Sequence, residues 1–554
     1  MIRTISDARV CNANLLKVIA FSLILALQIA CPVAGLVSAQ DELRVMAWNI
    51  WRGGREDGEE IGPQRVIEVI KDSRADIVAM QETYGSGEII SEGLGFHFQE
   101  RGTNLSIHSR FPIVEDISVF EEFKCTGALI QVAEDRQVAF YSIWLPYGKD
   151  IWLPEIRGAA SVEEWQKACQ PSADDLAEIL IAIKQRLADD KYKDVTLMIA
   201  GDFNSMSHLD YGLASVDQYQ QPVDWNTSRL MTQDNFRDAY RETNPVIDRE
   251  VDVTWSPRFP EQEQERIDFV YYRSPDYRAT GSEVIRTHSV QFPSDHAAVV
   301  ATFKQKPELA SASEIQLDVL SYNIRRGHGT DNVTDLKRSA DLLTELGPDV
   351  VGLQEIDLNA NRSGNQNQMR ELGRQLNMHY AFGKFMDYDG GQYGMGVLSR
   401  FPIHDVEQLQ LPRGNEPRVA LAVTVRLPND RLLLVVNVHF DWVRDDEYRF
   451  AQAQAVKAFL GKQSIPYVLV GDFNDRPGSR TIDLFVDLQE ADKASGNELT
   501  CPADNPRVEI DFVFASPNSD TFSWGVGSGD VIDEPVVSDH RPVLAKMELE
   551  WKEN

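Results

Sequence analysis

The chain alternates short apolar runs with amphipathic segments. The runs at residues 432–438 and 467–470 are rich in leucine and valine and are followed by polar residues, which is typical of buried β-strands that end in turns. Residues 449–460 and 173–187 carry apolar side chains at helical spacing, which predicts amphipathic helices. Because apolar strands alternate with helices, the pattern predicts layers of mixed α/β structure.

This pattern occurs twice along the chain. Six blocks of the first half return in the same order in the second half, with residues 44–54, 75–82, 107–113, 199–204, 266–270 and 294–296 corresponding to 317–327, 348–355, 397–403, 469–474, 509–513 and 538–540. The fourth block contains Gly-Asp-Phe-Asn in both copies, and the sixth is Ser-Asp-His in both. Six ordered matches predict two copies of one folding unit.

The segment between the copies has the composition of a linker. Residues 304–314 are mostly small and polar, with one proline, and such segments commonly join domains. We therefore predict a first domain at residues 41–303, the linker at 304–314 and a second domain at 315–554. The total of 554 residues fits two domains better than one, because single hydrophobic cores stop growing at about 250–300 residues.

The N-terminus has the order of a secretory signal. Basic residues are followed by an apolar run and then by a small-residue stretch that ends at Ala39, which predicts export of the protein after removal of residues 1–39. The alternative is a retained membrane anchor, because residues 18–37 are long enough to span a bilayer. Gln28 and Pro32 interrupt that stretch, so we favour cleavage.

Composition and charge narrow the class of protein. The chain is 43% hydrophobic and 25% charged, which fits a soluble globular protein and excludes a disordered, collagenous or multi-span membrane chain. Its formal net charge is −31, and such a field repels polyanions at long range. Capture of nucleic acid or anionic lipid by bulk charge is therefore disfavoured, and any phosphate chemistry requires local cations or a metal ion.

The cysteines do not form a disulfide framework. Only Cys125, Cys169 and Cys501 follow the predicted signal, and none of them belongs to a Cys-x-x-Cys motif, which argues against a zinc site. A bridge between Cys125 and Cys169 is permitted by export, and the sequence leaves it open.

Groups suited to metal binding and proton transfer follow the apolar strands of the second copy. They are Asn323, Glu355, His439, Asp472, Asn474, Asp511, Asp539 and His540. Oxygen donors without cysteine favour Mg²⁺, Mn²⁺ or Ca²⁺ over zinc. Histidines beside carboxylates suit proton transfer and the stabilisation of developing negative charge.

This ordered set resembles the endonuclease/exonuclease/phosphatase superfamily of metal-dependent phosphoesterases. The resemblance covers nearly all of both domains. It implies two tandem four-layer α/β sandwiches, each made of two mixed β-sheets flanked by helices, with the site at one rim. It also implies a divalent cation and a phosphoester substrate, which can be a small molecule, a lipid headgroup or nucleic acid; no protein partner is implied.

The resemblance also implies a role for each residue of the second copy. Glu355 would be the principal metal ligand, with Asn323 and Asp539 lining the metal pocket. Asp472 would activate or orient the attacking water, and Asn474 would hold that water and the phosphoryl group. Asp511 would orient His540. His439 would stabilise the pentacovalent phosphorus.

The first copy keeps most of this set but departs at one block. The equivalents are Asn49, Glu82 and Asp295 for the metal, and Asp202, Asn204, Asp268 and His296 for catalysis. Where the second copy has Asn-x-His, the first has Ser142 and Trp144, and an indole cannot accept a proton. His208 is a candidate substitute, although it can equally be a loop histidine.

We therefore expect the second domain to carry the more complete site of an exported phosphoesterase, and the first to be weaker or differently specialised. The alternative is that the first domain is a non-catalytic module that binds substrate for the second. Its longer loops hold four tryptophans, which we expect to pack the loops rather than to line a cleft, namely Trp152, Trp165, Trp225 and Trp255. Candidate cationic contacts to substrate near the second site are Arg325, Arg326, His328, Arg362, Arg400, Arg413 and Arg418.

Overall fold

A computed structural model describes residues 42–306, 313–494 and 496–552. The predicted signal at residues 1–39 and part of the predicted linker, residues 307–312, lie outside the described residues. The described residues belong to one compact unit that contains both repeats. Among their helices, none combines the length and the apolar character needed to cross a lipid bilayer.

The first domain contains twelve strands and nine α-helices. The strands are β1 (Glu42–Asn49), β2 (Ile77–Gln81), β3 (His97–Arg101), β4 (Leu105–Ser109), β5 (Ile113–Asp116), β6 (Cys125–Ala133), β7 (Arg136–Trp144), β8 (Thr196–Asp202), β9 (Arg237–Asp238), β10 (Asp268–Arg273), β11 (Tyr277–Ile285) and β12 (Ala298–Gln305). The helices are α1 (Ile61–Ser73), α2 (Gly87–Leu94), α3 (Pro154–Ala159), α4 (Val162–Ala168), α5 (Gln170–Arg186), α6 (Val216–Tyr219), α7 (Asn226–Gln233), α8 (Ala239–Thr243) and α9 (Arg249–Asp252).

The described part of the second domain contains thirteen strands and four α-helices. The strands are β13 (Glu314–Asn323), β14 (Val350–Leu358), β15 (His379–Tyr388), β16 (Gly391–Ser399), β17 (Ile403–Gln410), β18 (Val419–Arg426), β19 (Leu432–His439), β20 (Tyr467–Asp472), β21 (Gln489–Glu490), β22 (Asp492–Lys493), β23 (Asp511–Ala515), β24 (Phe522–Val531) and β25 (Val543–Trp551). The helices are α10 (Leu336–Leu346), α11 (Gln368–Leu376), α12 (Glu447–Leu460) and α13 (Arg480–Asp483).

Both domains are built from two mixed sheets with equivalent strand orders, and the second domain has one additional edge strand, β22. In the first domain the orders are β11-β12-β1-β2-β4-β3 and β5-β6-β7-β8-β10-β9. In the second they are β15-β16-β14-β13-β25-β24-β22 and β17-β18-β19-β20-β23-β21. Each sheet has a central parallel pair, which is β1/β2, β7/β8, β13/β14 or β19/β20. The predicted mixed α/β fold in two copies is confirmed.

The central strands are largely apolar because both of their faces are buried. In β1, Val45 and Ala47 belong to the core between the two sheets, whereas Met46 and Trp48 pack with α1 on the outer face. Side chains of a strand alternate between its faces, so a strand covered on both sides needs apolar residues at every position. This explains the runs at residues 432–438 and 467–470, which form β19 and β20 as predicted.

The amphipathic segments form the outer layers. Residues 173–187 fall almost wholly in α5, and residues 449–460 lie in α12. Leu176, Ile179 and Ile183 of α5 pack against the outer face of the sheet that contains β7 and β8. Spacing of three and four residues places these side chains on one face of the helix. Both predicted helices are therefore confirmed.

The longer loops of the first domain are packed around tryptophan. Trp152, Trp165 and Trp225 are buried together with neighbouring apolar residues, as we expected. Trp255 is half-buried instead. Asp210 reinforces these loops by pairing with both Arg241 and Arg266 at 2.8 Å.

Direct contacts join the two domains. Arg229 pairs with Asp405 at 2.5 Å, and Arg237 pairs with Asp430 at 2.7 Å. Asn367 of the second domain donates to the carbonyl oxygen of Ala214 at 2.7 Å. Because these contacts cross between the repeats, experiments on single sites are best made in the full chain.

No disulfide bond joins the cysteines of the described residues. Cys125 and Cys169 are free thiols and are buried, while Cys501 is half-buried. The bridge that the sequence left open is therefore absent. Burial raises the pKa of Cys125 and of Cys169 to about 12.

In the native protein without residues 1–39, we expect only one of the three thiols to react with iodoacetamide at pH 8. Because the thiolate is the nucleophile, a pKa near 12 leaves about one buried thiol in ten thousand reactive, and Cys501 alone of the three is partly open to solvent. Peptide mapping after alkylation should find the label on Cys501 in native protein and on all three residues after denaturation. Labelling of native Cys125 would contradict this arrangement.

Candidate active site

Strand register brings the predicted residues of the second domain to one edge. Asn323 ends β13, His439 ends β19, Asp472 ends β20 and Asp511 begins β23. Within the sheet, Asp472 is the pairing partner of His439 on one side and of Asp511 on the other. Adjacent positions in a sheet are about 5 Å apart, so the sheet itself holds these three side chains together.

Asp472 lies at the centre of the contacts. Its Oδ2 accepts a hydrogen bond from Asn323 Nδ2 at 3.2 Å and lies 3.5 Å from His439 Nε2 and 3.7 Å from His540 Nε2. Its Oδ1 accepts from the backbone N–H of Asn474 at 2.9 Å. Burial raises the pKa of Asp472 above its usual range, although His540 acts in the opposite direction.

Asn323 connects Asp472 to the predicted metal ligand. Its Nδ2 also donates to Glu355 Oε1 at 3.2 Å, and its backbone carbonyl accepts from Ser538 Oγ at 2.6 Å. Glu355 has a φ of 59° and Asn474 a φ of 51°. Left-handed backbone at residues other than glycine costs energy and is concentrated at functional sites.

The two histidines have opposite protonation preferences. His540 Nδ1 lies 2.9 Å from Asp511 Oδ2. Burial opposes protonation of His540, but Asp511 and Asp472 outweigh it and raise the pKa of His540 well above its usual value. For His439, burial, Arg418 and His540 all lower the pKa well below its usual value.

Arg418 makes a contact that the sequence analysis did not identify. This candidate for contact with substrate is buried, lies with Nη1 3.4 Å from His439 Nδ1 and pairs with Glu416 at 3.1 Å. An arginine has no acceptor, so Nδ1 of His439 accepts the bond and Nε2 carries the proton. Arg418 therefore orients His439 as a neutral N–H donor toward Asp472.

The other cationic candidates divide into paired and unpaired groups. Arg325 contacts Asp539 at 3.3 Å, Arg362 forms two bonds with Asp357, and Arg400 pairs with Asp349. His328 bonds to Thr334. Arg326 and Arg413 form no ion pair with any residue in the described ranges, so they are the cations of this set that are free to contact a ligand.

The donor set fits a hard divalent cation. One side-chain atom from each of Asp472, Asp511 and His540 lies within 4.8 Å of the other two. The two carboxylates are the possible metal ligands of this cluster, because protonated His540 has no free ring nitrogen. Asp511 Oδ1 is buried without a hydrogen-bond partner among the described residues. The predicted ligands Asn323 and Glu355 contact each other next to this cluster, whereas Asp539 is bound by Arg325. Buried carboxylates that accumulate in this way are stabilised by a bound cation.

The first domain repeats this geometry. Asn49 Nδ2 donates to Glu82 Oε1 at 3.2 Å and to Asp202 Oδ2 at 3.1 Å. The other equivalent contacts are Asn204 N to Asp202 Oδ1 at 2.9 Å, His296 Nδ1 to Asp268 Oδ2 at 3.0 Å and His296 Nε2 to Asp202 Oδ2 at 3.9 Å. Burial raises the pKa of Asp295 to about 6. Asp202, Asp268 and His296 form the matching compact group.

The first domain differs from the second at the position that corresponds to His439. Trp144 is the pairing partner of Asp202, at the position where His439 pairs with Asp472. Trp255 packs edge-on against His296 with ring centres 4.9 Å apart. His208, our candidate substitute, bonds through Nδ1 to Ser228 Oγ at 2.6 Å and lines a cavity between the domains. It does not replace the missing imidazole, so that suggestion is wrong.

Comparison with known protein families gives a match in each of the two repeats. The sequence profile described as the Endonuclease/Exonuclease/phosphatase family matches residues 46–296 and 320–540. An uncharacterized protein from Caenorhabditis elegans is 27% identical over 314 residues, which cover 51% of this chain and 98% of that protein.

Solved structures of the same family are also similar to parts of the chain. An endonuclease/exonuclease/phosphatase from Beutenbergia cavernae is 24% identical, with 43% of this chain and 72% of that chain covered and a TM-score of 0.35. A mannosyl-6-phosphatase from Bacteroides thetaiotaomicron is 20% identical over 43% of this chain and 100% of that chain, with a TM-score of 0.36. A humanized D. rerio TDP2 is 18% identical over 42% of this chain and 98% of that chain, with a TM-score of 0.36.

Proposed function

The chain belongs to the endonuclease/exonuclease/phosphatase family, and on this basis we propose that its second domain hydrolyses a phosphoester with the help of a divalent metal ion. Members of this family are hydrolases that act on phosphoester bonds. The observation that carries the proposal is the arrangement around Asp472, where a buried carboxylate faces two histidines of opposite protonation.

The residues of the second site have complementary tasks in this proposal. Protonated His540, held by Asp511, presents an N–H at Nε2 to an oxygen of the substrate. Asp472, whose pKa is raised by burial, accepts a proton from the attacking water, and Asn474 holds the phosphoryl group. Neutral His439 donates a hydrogen bond from its Nε2–H to a second oxygen and keeps its proton. Fixed donors aimed at developing negative charge are the main source of catalysis in such reactions.

A divalent ion fits the oxygen donors of Glu355 and Asn323, with Asp472 and Asp511 adjacent. When bound, Mg²⁺, Mn²⁺ or Ca²⁺ supplies charge neutralisation of the phosphoryl oxygens. Asn323 orients both flanking carboxylates through a single amide nitrogen. The position of this amide thereby couples the predicted ligand Glu355 to the predicted base Asp472.

We further propose that the substrate is a small or locally gripped phosphoester rather than a long polyanion. The net charge of −31 opposes binding of extended nucleic acid. The cations available near the site are few, with Arg326 and Arg413 as the unpaired members of the set described above. A sugar phosphate, a lipid headgroup or a short nucleotide remains compatible with these contacts.

The proposal is tested by a screen of the full chain against bis-4-nitrophenyl phosphate, DNA, RNA, sphingomyelin and sugar and inositol phosphates, each with Mg²⁺ or Mn²⁺. We expect turnover of at least one substrate, complete loss of turnover in EDTA and recovery when the metal is restored. Turnover that persists unchanged in EDTA would contradict the proposed chemistry.

We also propose that the protein is exported. The support is the order of basic, apolar and small residues in positions 1–39. Mass spectrometry of the exported protein should give Gln40 as its first residue. Recovery of the full-length chain in the membrane fraction would instead indicate the retained anchor.

A second candidate role concerns the first domain. Trp144 occupies the position of the missing imidazole and Trp255 packs on His296, which favours a site that binds substrate without turning it over. Aromatic side chains supply contact area without proton transfer. The full-chain variants described in the Discussion distinguish this role from catalysis.

A further inference from the structure

A cavity lies between the two domains, away from both candidate active sites. Its volume is about 360 Å³. Its walls come from residues 208–247 of the first domain, which include α7, β9 and α8, and from β15, β17 and β18 of the second. Ligand pockets in proteins have volumes of about 300–1,000 Å³. The cavity is therefore large enough for a small organic molecule.

One end of this cavity carries a buried arginine without a carboxylate partner. Arg426 donates from Nη1 to the carbonyl oxygen of Asp430 at 3.2 Å and lies with Nη2 3.3 Å from His404 Nδ1. No carboxylate of the described residues forms an ion pair with Arg426. The carboxylate of Asp430 is instead occupied by Arg237, at 2.7 Å, and by Lys306.

The surroundings of Arg426 make this charge costly. Arg426 is only 7% exposed, and burial together with neighbouring Arg237 lowers the pKa of Arg426. Buried charges in proteins are normally paired, because an unpaired one loses its hydration without compensation. Asp430 and Glu242 favour the charged form of Arg426 from beyond ion-pairing distance. The guanidinium has no direct carboxylate partner among the described residues and can pair with an anion that enters the cavity.

The rest of the cavity wall is suited to an apolar body. Phe236 and Ile247 of the first domain face the cavity together with Phe382 and Ile403 of the second. The remaining arginines nearby are already neutralised, since Arg229 pairs with Asp405 and the other pairs were given above. A ligand with one anionic group and an apolar remainder would therefore match both parts of the wall.

We propose that this interdomain cavity is a binding site for a small monoanion with an apolar body, whose anionic group bonds to Arg426. The ligand class is that of a medium-chain fatty acid or an aromatic carboxylate. Because its walls come from both domains, such a ligand stabilises their association, and its binding raises the unfolding temperature by mass action. This inference does not rest on the phosphoesterase proposal.

The test uses the full chain with octanoate, 1-octanol and inorganic phosphate as probes. Calorimetry should show one octanoate per chain, with 1-octanol bound at least tenfold more weakly because it leaves Arg426 unpaired. Phosphate should also bind at least tenfold more weakly, because it does not fill the apolar part. Equal binding of octanoate and 1-octanol, or no binding of octanoate, would overturn the proposal.

Two variants locate the site. Arg426→Met should weaken octanoate binding at least tenfold and leave 1-octanol unaffected, whereas Arg431→Gln, an exposed arginine five residues away, should change neither. Unaltered octanoate binding by Arg426→Met would overturn the assignment. We expect Arg426→Met to fold, because it removes an unpaired buried charge.

Hydrogen exchange of the unmodified protein gives an independent answer if Arg426→Met does not fold. Octanoate should protect amides in residues 236–242 and 403–406, which contribute to opposite walls of the cavity. Protection confined to other segments would place octanoate elsewhere and contradict the inference.

Discussion

Replacing His540 by alanine is expected to lower kcat of the full chain by about two to four orders of magnitude, the usual contribution of a general acid or base. His540 is held by Asp511 at 2.9 Å with its Nε2 directed toward Asp472. The substitution removes the protonated donor and leaves two buried carboxylates without their neighbouring cation. The measurement is steady-state hydrolysis with saturating metal, together with the thermal unfolding midpoint as a check on folding.

His296→Ala is the matched control, because His296 makes the same bond with Asp268 at 3.0 Å. We expect this variant to keep at least half of the activity of the full chain, since the first site lacks the equivalent of His439. Residual activity in His540→Ala that disappears in the double variant would show that the first domain is catalytic. Full activity in His540→Ala would contradict the assignment of the second site.

The fold could be predicted because the strands are buried on both faces. Runs such as residues 432–438 are apolar at every position except Asn437, and the ordered recurrence of six blocks required two copies of one topology. The polar residues at strand ends then had to meet, since neighbouring strands in a sheet place pairing partners about 5 Å apart. His439, Asp472 and Asp511 are held together by this geometry alone.

Contacts between distant segments could not be predicted in the same way. Arg418 directly precedes β18 and His439 ends the neighbouring strand β19, and the two meet only because of a register that the sequence does not state. His208 is the reverse case, in which residues close in sequence are not brought together in the structure. It is four residues from Asn204 in sequence, but it bonds to Ser228 and faces the cavity between the domains. That cavity depends on how the two copies pack, and neither copy carries a motif for it.

Replacing Glu355 by glutamine is expected to weaken Mn²⁺ binding by the second site about 100-fold or more and to lower hydrolysis at fixed metal to a similar degree. Glutamine keeps the shape of the side chain and can still accept the bond from Asn323 Nδ2, so the change is mainly the loss of one negative charge. At an effective dielectric constant of 20, two unit charges 4 Å apart attract by about 4 kcal/mol, and the attraction to a divalent ion is stronger. Titration calorimetry with Mn²⁺ measures the effect directly.

Glu82→Gln is the matched variant of the first domain, because Glu82 accepts the same bond from Asn49 at 3.2 Å and has a φ of 56°. It should weaken the metal site of the first domain and leave most of the hydrolysis intact, so the two variants separate metal binding at the two sites from turnover. If Glu355→Gln bound Mn²⁺ as tightly as the unmodified chain, the cation would be held by the carboxylates of Asp472 and Asp511 instead. Asp472→Asn would then be the variant that loses the metal, and Glu355 would be left as the partner that positions Asn323.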